Sequence, residues 1–341
     1  MYNIVVIGLG VVGTGLAEIL HNKKEMLKSK YGFEFKVLGV CDLIKGSIYS
    51  ENGLDLGKVL EINKKKGELS DYPAPEKGLS SVEMITKPEV DIVAEITPTN
   101  VKTGEPGLTH FKGALEHKKH VVSTNKGPIA LKYKELSQLA KAHNVYLGFE
   151  GTVISGTPAI NVGTRDLAGC DIESIRGILN GTTNYILTLM EEGRSYDDVL
   201  KEAQQKGYAE TDPTADVEGY DPLAKIVILA NSVMGGDVNL NEVYREGITG
   251  ITLENIEKAK KEGKRIKLVG KAWRENGKVT AQIKPEALPL TDPLANVMGV
   301  LNAVTFETDV TGNVTIIGPG AGAYTAGYAM LTDMLEIHRR F

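Results

Sequence analysis

The sequence of 341 residues has only two cysteines and, among its six histidines, no pair spaced as HxH or HxxxH. A disulfide framework is therefore excluded, and nothing indicates a transition-metal site. No apolar run approaches the ~20 residues that a membrane-spanning helix needs, and the first residues lack the basic segment of a signal peptide. The net charge of −5 offers no attraction for nucleic acid or an anionic membrane. We expect a cytoplasmic enzyme acting on a small molecule, without nucleic-acid or membrane partners.

The chain has a glycine-rich turn between a predicted strand and a predicted helix near its N-terminus. Residues 3–7 are predicted to form a strand with a continuous apolar run at 4–7, typical of a strand buried in a parallel sheet, and GLGVVG follows at residues 8–13 before a helical pattern. In such a unit the first glycine permits the turn, the second admits a pyrophosphate, and the third lets helix and strand pack closely. This context predicts dinucleotide binding; an S-adenosylmethionine-binding sheet or a merely tight turn is the alternative.

Later strand ends are expected at the same edge of the sheet. The strand at residues 36–40 ends at Asp42, an acid that can accept from a ribose 2′-OH and would repel a 2′-phosphate. Asp42 lies farther from the glycines than the usual ~20 residues, and Lys45 is close by, so the choice between NAD and NADP stays open. Residues 47–77, with a lysine run at 64–66, are predicted to be a surface excursion.

Two further strands complete this edge. The strand at residues 91–96 ends at the TPT segment of residues 97–99, and the strand at residues 120–123 leads to Lys126. Ligands of doubly wound sheets lie at the carboxyl ends of the strands. Lys126 is therefore a candidate functional residue, although a surface lysine is the alternative.

Residues 207–225 place several acids ahead of an apolar helix, and the rest of the chain is organised around this segment. Asp221 before Pro222 is predicted to be a helix N-cap, and Lys225 lies one turn further along the same face. A solvated ion pair beside a cap is the alternative to a catalytic pair. The NGTTNY segment at residues 180–185 follows a predicted strand and begins a helix, whose first N–H groups fit a substrate carboxylate or form a simple cap.

With these motifs in place, the chain resembles the homoserine dehydrogenases. The matching segments, in order, are GLGVVG at residues 8–13, STNK at 123–126, NGTTNY at 180–185, residues 207–225, and GPGAGA at 318–323. The resemblance implies NAD(P)-dependent interconversion of L-homoserine and L-aspartate 4-semialdehyde, on the route to threonine and methionine. It implies the short form without an aspartokinase or an ACT domain, so threonine feedback through such a domain is not expected. It also implies a homodimer.

The resemblance further implies residue roles. Lys225 is implied as acid/base with Asp221 beside it, and Lys126 as a lysine that reaches cofactor and substrate. The implied substrate-binding residues are Glu210, Asp216, Thr182 and Gly181. The cofactor-binding residues expected from the motifs and the resemblance are Gly8, Gly10, Val11, Val12, Gly13, Asp42, Thr97, Pro98, Thr99, Lys126 and Gly322. A sodium ion is implied on main-chain oxygens of Glu150, Val153, Ser155 and Thr157, where the side chains depart somewhat from the family's pattern.

The expected fold is α/β, with an N-terminal Rossmann-type doubly wound sheet, an α+β substrate-binding and dimerisation domain, and a C-terminal helix returning to the first domain. We expect residues 1–130 and 318–341 in the dinucleotide-binding domain and 131–317 in the second. The alternative function is a non-catalytic regulator that senses the dinucleotide. A phosphorylating semialdehyde dehydrogenase is rejected because Cys41, beside Asp42, is poorly placed to form the thiolate that such chemistry needs.

Overall fold

The computed structural model describes residues 1–65 and 67–341; Lys66, the last residue of the lysine run, lies outside the described residues. The strands are β1 (Tyr2–Ile7), β2 (Phe35–Asp42), β3 (Gly46–Tyr49), β4 (Glu76–Lys77), β5 (Ile92–Glu95), β6 (His120–Ser123), β7 (Leu147–Gly148), β8 (Ile172–Ile178), β9 (Tyr244–Arg245), β10 (Lys264–Glu275), β11 (Lys278–Pro289), β12 (Leu301–Thr308) and β13 (Gly312–Pro319). The helices are α1 (Val11–Tyr31), α2 (Leu56–Lys64), α3 (Ser81–Ile85), α4 (Gly107–Glu116), α5 (Lys126–Ala142), α6 (Gly181–Met190), α7 (Tyr196–Gln205), α8 (Thr214–Val217), α9 (Tyr220–Ser232), α10 (Leu253–Lys261) and α11 (Ala323–Arg340). None of the helices within this described part of the chain is long and apolar enough to cross a membrane.

The chain divides into two compact units, and the first comprises Met1–Gly156 with Gly322–Phe341. Its seven-stranded sheet has the order β4-β3-β2-β1-β5-β6-β7. Strands β2, β1, β5, β6 and β7 are parallel, so their carboxyl ends share one edge. The chain turns from β2 on one side of β1 to β5 on the other, which makes β1 the switch point of a doubly wound sheet.

The C-terminal helix α11 packs directly against α1, as expected. A Cβ on Gly15 would come within 2.5 Å of the Ala323 carbonyl oxygen, and a Cβ on Gly327 within 2.7 Å of the Leu16 nitrogen. Only glycine at these two positions allows the two helix backbones to approach so closely. The buried face of α11, including Met330 and Met334, joins the same apolar core as β1 and β2.

Residues 47–77 are not the surface excursion that the sequence suggested. They contribute β3, α2 and β4, and the two strands extend the sheet in antiparallel fashion beyond β2. Ile48 and Tyr49 are fully buried, and Asp55 caps α2 by accepting from the Gly57 and Lys58 N–H groups. Strands of four and two residues are too short to show the alternation that identifies a half-buried strand.

The second unit is Thr157–Ala321, built on a six-stranded sheet in the order β13-β12-β8-β10-β11-β9. The pairs of long strands are antiparallel, and β9 pairs with β11 in parallel. The strand patterns at residues 267–274 and 278–283, separated by ENG, predict a hairpin, and the structure confirms it: β10 and β11 join at Asn276 and Gly277, both with positive φ. Such residues suit the two-residue turns that match strand twist. In the structure α5 and β7 pack in the first unit. Dinucleotide binding by residues 1–130 with 318–341, and substrate binding and dimerisation by 131–317, stay predictions.

Two helices begin earlier than the sequence indicated. Helix α9 follows Gly219, which has φ of 81°, so Asp221 is the second helical residue and the prediction that it caps the helix is wrong. The sequence pattern predicts the second helix from about residue 132 to 143, but α5 begins at Lys126, where the Asn125 side chain caps it by accepting from the Gly127 N–H. Lys132 has non-helical φ and ψ inside this helix. Both candidate lysines are thus carried on helices, Lys126 at the first position of α5 and Lys225 in α9.

Candidate cofactor and substrate sites

The glycine turn between β1 and α1 leaves room for a ligand beside bare backbone. Gly8 has φ of +104°, and a Cβ there would come within 2.6 Å of the Ile96 carbonyl oxygen. A Cβ on Gly13 would collide with the Gly8 carbonyl, whereas one on Gly10 would meet nothing within 4 Å. Gly10 at the N-cap of α1 makes no side-chain hydrogen bond to the first-turn N–H groups that follow it, at Val11 and Val12. This geometry fits a pyrophosphate at the helix N-terminus.

Asp42, at the end of β2, is fixed by backbone donors. Its Oδ2 accepts from the Leu9 N–H at 2.8 Å, and its Oδ1 from the Ile44 and Lys45 N–H groups at 3.0 and 3.1 Å. Burial raises the pKa of Asp42, but the hydrogen bonds from Leu9, Lys45 and Ile44 outweigh it and hold the pKa below its ordinary value. A charged carboxylate therefore borders the turn. The Lys45 ammonium donates to the Leu9 carbonyl at 2.6 Å, so its charge lies against the turn as well.

The ends of β5 and β6 are tied together by a buried carboxylate that the sequence analysis did not single out. Glu95 is fully buried; it lies 3.2 Å from the His110 imidazole and accepts from Asn125 Nδ2 at 3.2 Å. It also accepts from the Ser123 hydroxyl and from the Thr97 N–H and hydroxyl. We call these five residues the Glu95 network. It fixes Thr97, an expected cofactor residue, and the cap of the helix that begins at Lys126.

The other residues expected around the cofactor also belong to the first unit. Pro98 and Thr99 follow Thr97 and are exposed, and Lys126 is half-buried. Gly322 caps α11 with φ of 132°, directly before Ala323 at the contact with Gly15. The start of α11 therefore lies beside the early turns of α1, as expected for a segment that borders the glycine turn.

The residues implied for sodium include a buried turn. Glu150, Val153 and Ser155 are buried in the first unit, and Ser155 adopts φ of +54°. The Glu150 N–H donates to Asp333 Oδ2 at 3.0 Å. Thr157 belongs to the second unit, where its hydroxyl donates to the Pro319 carbonyl at 3.0 Å. In the described part of the chain no cluster of three or more His, Cys, Asp or Glu side chains suits a metal ion; carbonyl ligation by these four residues stays a prediction.

In the second unit, Lys225 and Asp221 form a buried ion pair. Lys225 is 7% exposed, and its Nζ lies 2.7 Å from Asp221 Oδ2 and donates to the Leu179 carbonyl at 2.7 Å. The alternative of a solvated surface pair is wrong for this lysine. Leu179 immediately follows β8, so the end of this strand fixes the ammonium from one side and the preceding turn of α9 fixes it from the other.

Asp216 reaches the same place from α8. Its Oδ1 accepts from Asn180 Nδ2 at 2.6 Å, and the same nitrogen donates to Asp221 Oδ2 at 2.9 Å. Burial and then the Asp221 charge raise the pKa of Asp216 above its ordinary value, although the hydrogen bond from Asn180 and the Lys225 charge act in the opposite direction. We call Asn180, Asp216, Asp221 and Lys225 the acid–lysine cluster. A site with more carboxylates than cations suits a ligand that brings an ammonium group.

Three more predicted residues lie in this unit. Thr182 is buried in the first turn of α6 and donates to the Tyr208 carbonyl at 2.6 Å. Gly181 precedes it, and a Cβ there would come within 2.7 Å of the Val300 carbonyl. Glu210 is exposed and lines a cavity of about 530 Å³ with neighbours from the 209–212 segment and Gln204. The second unit thus brings Asp216, Asp221 and Lys225 into contact, with Glu210 in the segment leading to α8.

Several buried polar residues around these sites were not predicted to be functional. Asn180 is predicted only as part of a motif, and Glu95 and Lys267 only as members of strands. Lys267 is fully buried beneath α6, where its Nζ donates to Asn184 Oδ1 at 2.9 Å and the Val297 carbonyl at 2.7 Å. A charged residue inside an apolar strand is a signal that a buried partner exists, but it does not say where.

Comparisons with known proteins cover the whole chain. The family model described as the NAD-binding domain of homoserine dehydrogenase matches residues 8–150, and the homoserine dehydrogenase model matches residues 158–335. A homoserine dehydrogenase from Methanocaldococcus jannaschii is 45% identical over 98% of both chains. The NAD(+)-dependent homoserine dehydrogenase of Pseudomonas canavaninivorans is 41% identical over 99% of this chain and 96% of its own. The structure of a hyperthermophilic archaeal homoserine dehydrogenase mutant in complex with NADPH matches with a TM-score of 0.86 and 31% identity, over 100% of this chain and 98% of that one.

A doubly wound sheet with an open glycine turn, joined in one chain to a second unit with a buried acid–lysine cluster, defines an NAD(P)-binding oxidoreductase. Both family models and the full-length relatives make the assignment specific. The chain belongs to the homoserine dehydrogenase family and is an NAD(P)-dependent enzyme of amino-acid biosynthesis.

Proposed function

We propose that the chain interconverts L-homoserine and L-aspartate 4-semialdehyde with Lys225 as the acid/base and Asp221 as its partner. The observation that carries this assignment is the buried Lys225 ammonium, held at 2.7 Å by both Asp221 Oδ2 and the Leu179 carbonyl. Two fixed acceptors restrict the orientation of an otherwise flexible lysine, which is what a proton donor needs. Family membership supports the reaction, and the geometry of the second unit supports the roles of these residues.

The proposed proton transfer follows from the chemistry of an alcohol and an aldehyde. In the reducing direction, protonated Lys225 donates a proton to the carbonyl oxygen as it becomes a hydroxyl. In the oxidising direction, the neutral amine accepts the hydroxyl proton, and Asp221 stabilises the ammonium that forms. The nicotinamide cofactor supplies or accepts the hydride when it is bound. Positioned acid–base catalysis of this kind contributes roughly 10²–10⁴-fold in rate.

The amino-acid end of the substrate is proposed to bind around the start of α6. Its ammonium group binds the carboxylates of Asp216 and Glu210, because the local acids exceed the local cations. Its carboxylate accepts from the first N–H groups of α6, at Gly181 and Thr182, where the helix dipole favours an anion. Lys126 is proposed to contact both cofactor and substrate.

The cofactor contacts are proposed at the open glycine turn and the neighbouring strand ends. Gly8, Gly10 and Gly13 with the first turn of α1 hold the pyrophosphate, Asp42 lies at the adenosine ribose, and the segment after β5 and Gly322 border the rest. Sodium is proposed on the carbonyl oxygens of residues 150, 153, 155 and 157. A cytoplasmic homodimer is proposed as well; β13 forms one edge of its sheet, and an edge strand is a template for pairing with a second copy.

An assay of reduced nicotinamide absorbance with homoserine and either NAD or NADP tests the reaction. We expect turnover with at least one cofactor; cofactor binding without any absorbance change would contradict the proposed reaction. Lys225→Ala is expected to lower kcat roughly 10²–10⁴-fold while the Kd for the cofactor, measured by fluorescence titration, stays near that of the original protein. Lys264→Ala, which removes an exposed lysine paired with Glu262 in the same unit, is the matched control. Retained turnover in Lys225→Ala would move the proton-transfer role to Lys126.

A further inference from the structure

The side chain of Asn180 occupies the centre of the acid–lysine cluster, at the junction between β8 and α6. It is buried, and both of its amide N–H groups point at carboxylates: Nδ2 donates to Asp216 Oδ1 at 2.6 Å and to Asp221 Oδ2 at 2.9 Å. Its Oδ1 accepts from the Thr183 N–H at 2.9 Å and from the Thr183 hydroxyl at 3.1 Å. An amide has two donors and one oxygen with two lone pairs, so these four contacts use its whole hydrogen-bonding capacity.

These contacts also fix which way the amide points. The opposite orientation would place Oδ1 against two carboxylates and Nδ2 against the N–H of Thr183, so these three attractive contacts would become repulsive. Asp216 lies on α8 and Asp221 on α9, and they are linked here by one neutral group. The neighbouring Leu179 carbonyl accepts from Lys225. Residues 179 and 180 therefore hold the lysine and both acids together.

The Asn180 amide connects the two carboxylates without neutralising them. A lysine or arginine between the two carboxylates would cancel their charge, whereas asparagine holds them near each other and leaves that charge for a ligand. We propose that Asn180 is a positioning residue, whose amide holds Asp216 and Asp221 in the arrangement that couples binding of the substrate ammonium group to proton transfer at Lys225. This inference rests on the proposed function.

The pH dependence of the reaction should report this role. The groups that face Asp216 are Asn180 and Thr182 on one side and Asp221 and Lys225 on α9; burial and Asp221 raise its pKa, and the other three lower it. Loss of the Asn180 amide removes one of the lowering influences. The acid limb of the kcat/KM profile for homoserine should then move to higher pH.

Two variants separate positioning from helix capping. Asn180→Ser keeps a side-chain oxygen for the N-cap of α6 but removes both amide N–H groups; Asn180→Asp keeps the shape and the cap but adds a third carboxylate. We expect kcat/KM for homoserine to fall about 10–100-fold in Asn180→Ser and further in Asn180→Asp, with KM for the cofactor within about twofold. Ser195→Ala, which removes only the N-cap of α7, is the control and should leave the kinetic constants unchanged.

The outcomes are distinguishable from failure of the proposed function. If the unmodified protein turns over homoserine and Lys225→Ala does not, but both Asn180 variants match the unmodified protein in rate and pH profile, Asn180 is a structural cap and the inference is wrong. If both variants lose melting temperature to the same extent as Ser195→Ala and nothing else changes, the inference is equally overturned. Lack of turnover in the unmodified protein would instead overturn the proposed function itself.

Discussion

The Glu95 network in the first unit and the acid–lysine cluster in the second bury carboxylates in different ways. Glu95 is surrounded by an imidazole and by hydroxyl, amide and backbone donors from β5, β6, α4 and the cap of α5. In the second cluster Asp216 and Asp221 share one amide, and Asp221 also pairs with Lys225. Glu95 alone has donors from several elements, whereas Asp216 and Asp221 share the Asn180 amide next to the Lys225 ammonium, with the Thr182 hydroxyl as a further donor to Asp216.

This difference predicts that the Glu95 network stabilises the folded state and that the acid–lysine cluster binds a ligand. A buried charge must be hydrogen-bonded or it destabilises the folded state, and the donors around Glu95 satisfy this requirement while tying several elements together. The raised pKa of Asp216 means that the folded protein disfavours its charged form. Groups perturbed in this way are frequent at functional sites. The first cluster should therefore matter most for stability and the second for activity.

Among substitutions of the carboxylates in these two clusters, the largest expected effect comes from Asp216→Asn. Loss of a carboxylate that pairs with the substrate ammonium should lower kcat/KM for homoserine roughly 10²–10³-fold, on the order of 3–4 kcal/mol. Stability should move the other way. Because the pKa of Asp216 is raised on folding, its contribution to stability is fully present below the ordinary value of ~3.9 and is lost as the pH rises through the folded-state pKa. Asp216→Asn should thus be at least as stable as the original protein at neutral pH.

Initial rates and denaturant unfolding at several pH values check this prediction. The stability advantage of Asp216→Asn should shrink as the pH falls toward ~4. Asp197→Asn, a change at an exposed acid in the first turn of α7, is the control for a general effect of removing negative charge. A loss of stability together with normal homoserine kinetics would reverse the contrast between the two clusters.

An intermediate effect is expected from Glu95→Leu. The Asn125 amide and the Thr97 N–H and hydroxyl would lose the Glu95 carboxylate as acceptor, which should lower the free energy of unfolding by roughly 2–4 kcal/mol; the Ser123 hydroxyl keeps the main-chain carbonyl of residue 95. Glu95→Gln keeps one acceptor oxygen and should lose less. Glu61→Gln alters an exposed pair with Lys65 and should change little. Equal melting temperatures for Glu95→Leu and Glu61→Gln would show that the buried network does not hold the first unit together.

The parts of both sites that depend on short spacing could be predicted from the sequence. The strand–glycine–helix unit and the Asp221–Lys225 pair, four residues apart, follow from local geometry. The cluster itself could not be predicted, because Asn180 meets Asp216 across 36 residues of chain and Asp221 across 41. Such contacts depend on how β8, α8 and α9 pack. The resemblance supplied the candidate residues, and the structure adds the amide that connects two of them.

The Glu95 network shows a second limit on what can be predicted from the sequence. The acid stands in the apolar run of residues 91–96, which by itself indicates a buried strand. That a carboxylate there needs partners follows from elementary energetics, but His110 lies on α4 and Asn125 after β6, and no periodicity links them. In the same way, β3 and β4 are too short for pattern recognition. Local rules therefore identified the main elements, and the polar contacts between distant elements required coordinates.

The smallest expected effect tests how strictly the first unit selects its cofactor. Asp42 presents a carboxylate beside the glycine turn, which would repel the 2′-phosphate of NADP, but it also accepts three backbone N–H groups that shape the turn. Asp42→Ala should therefore weaken both cofactors, so absolute KM values are a poor measure. The ratio of kcat/KM for NADP to that for NAD cancels the shared loss, and we expect it to rise about tenfold, or ~1.4 kcal/mol. Asp55→Asn, which keeps a good N-cap on α2, should leave the ratio unchanged. An unchanged ratio in Asp42→Ala would mean that this carboxylate organises the turn without reading the ribose.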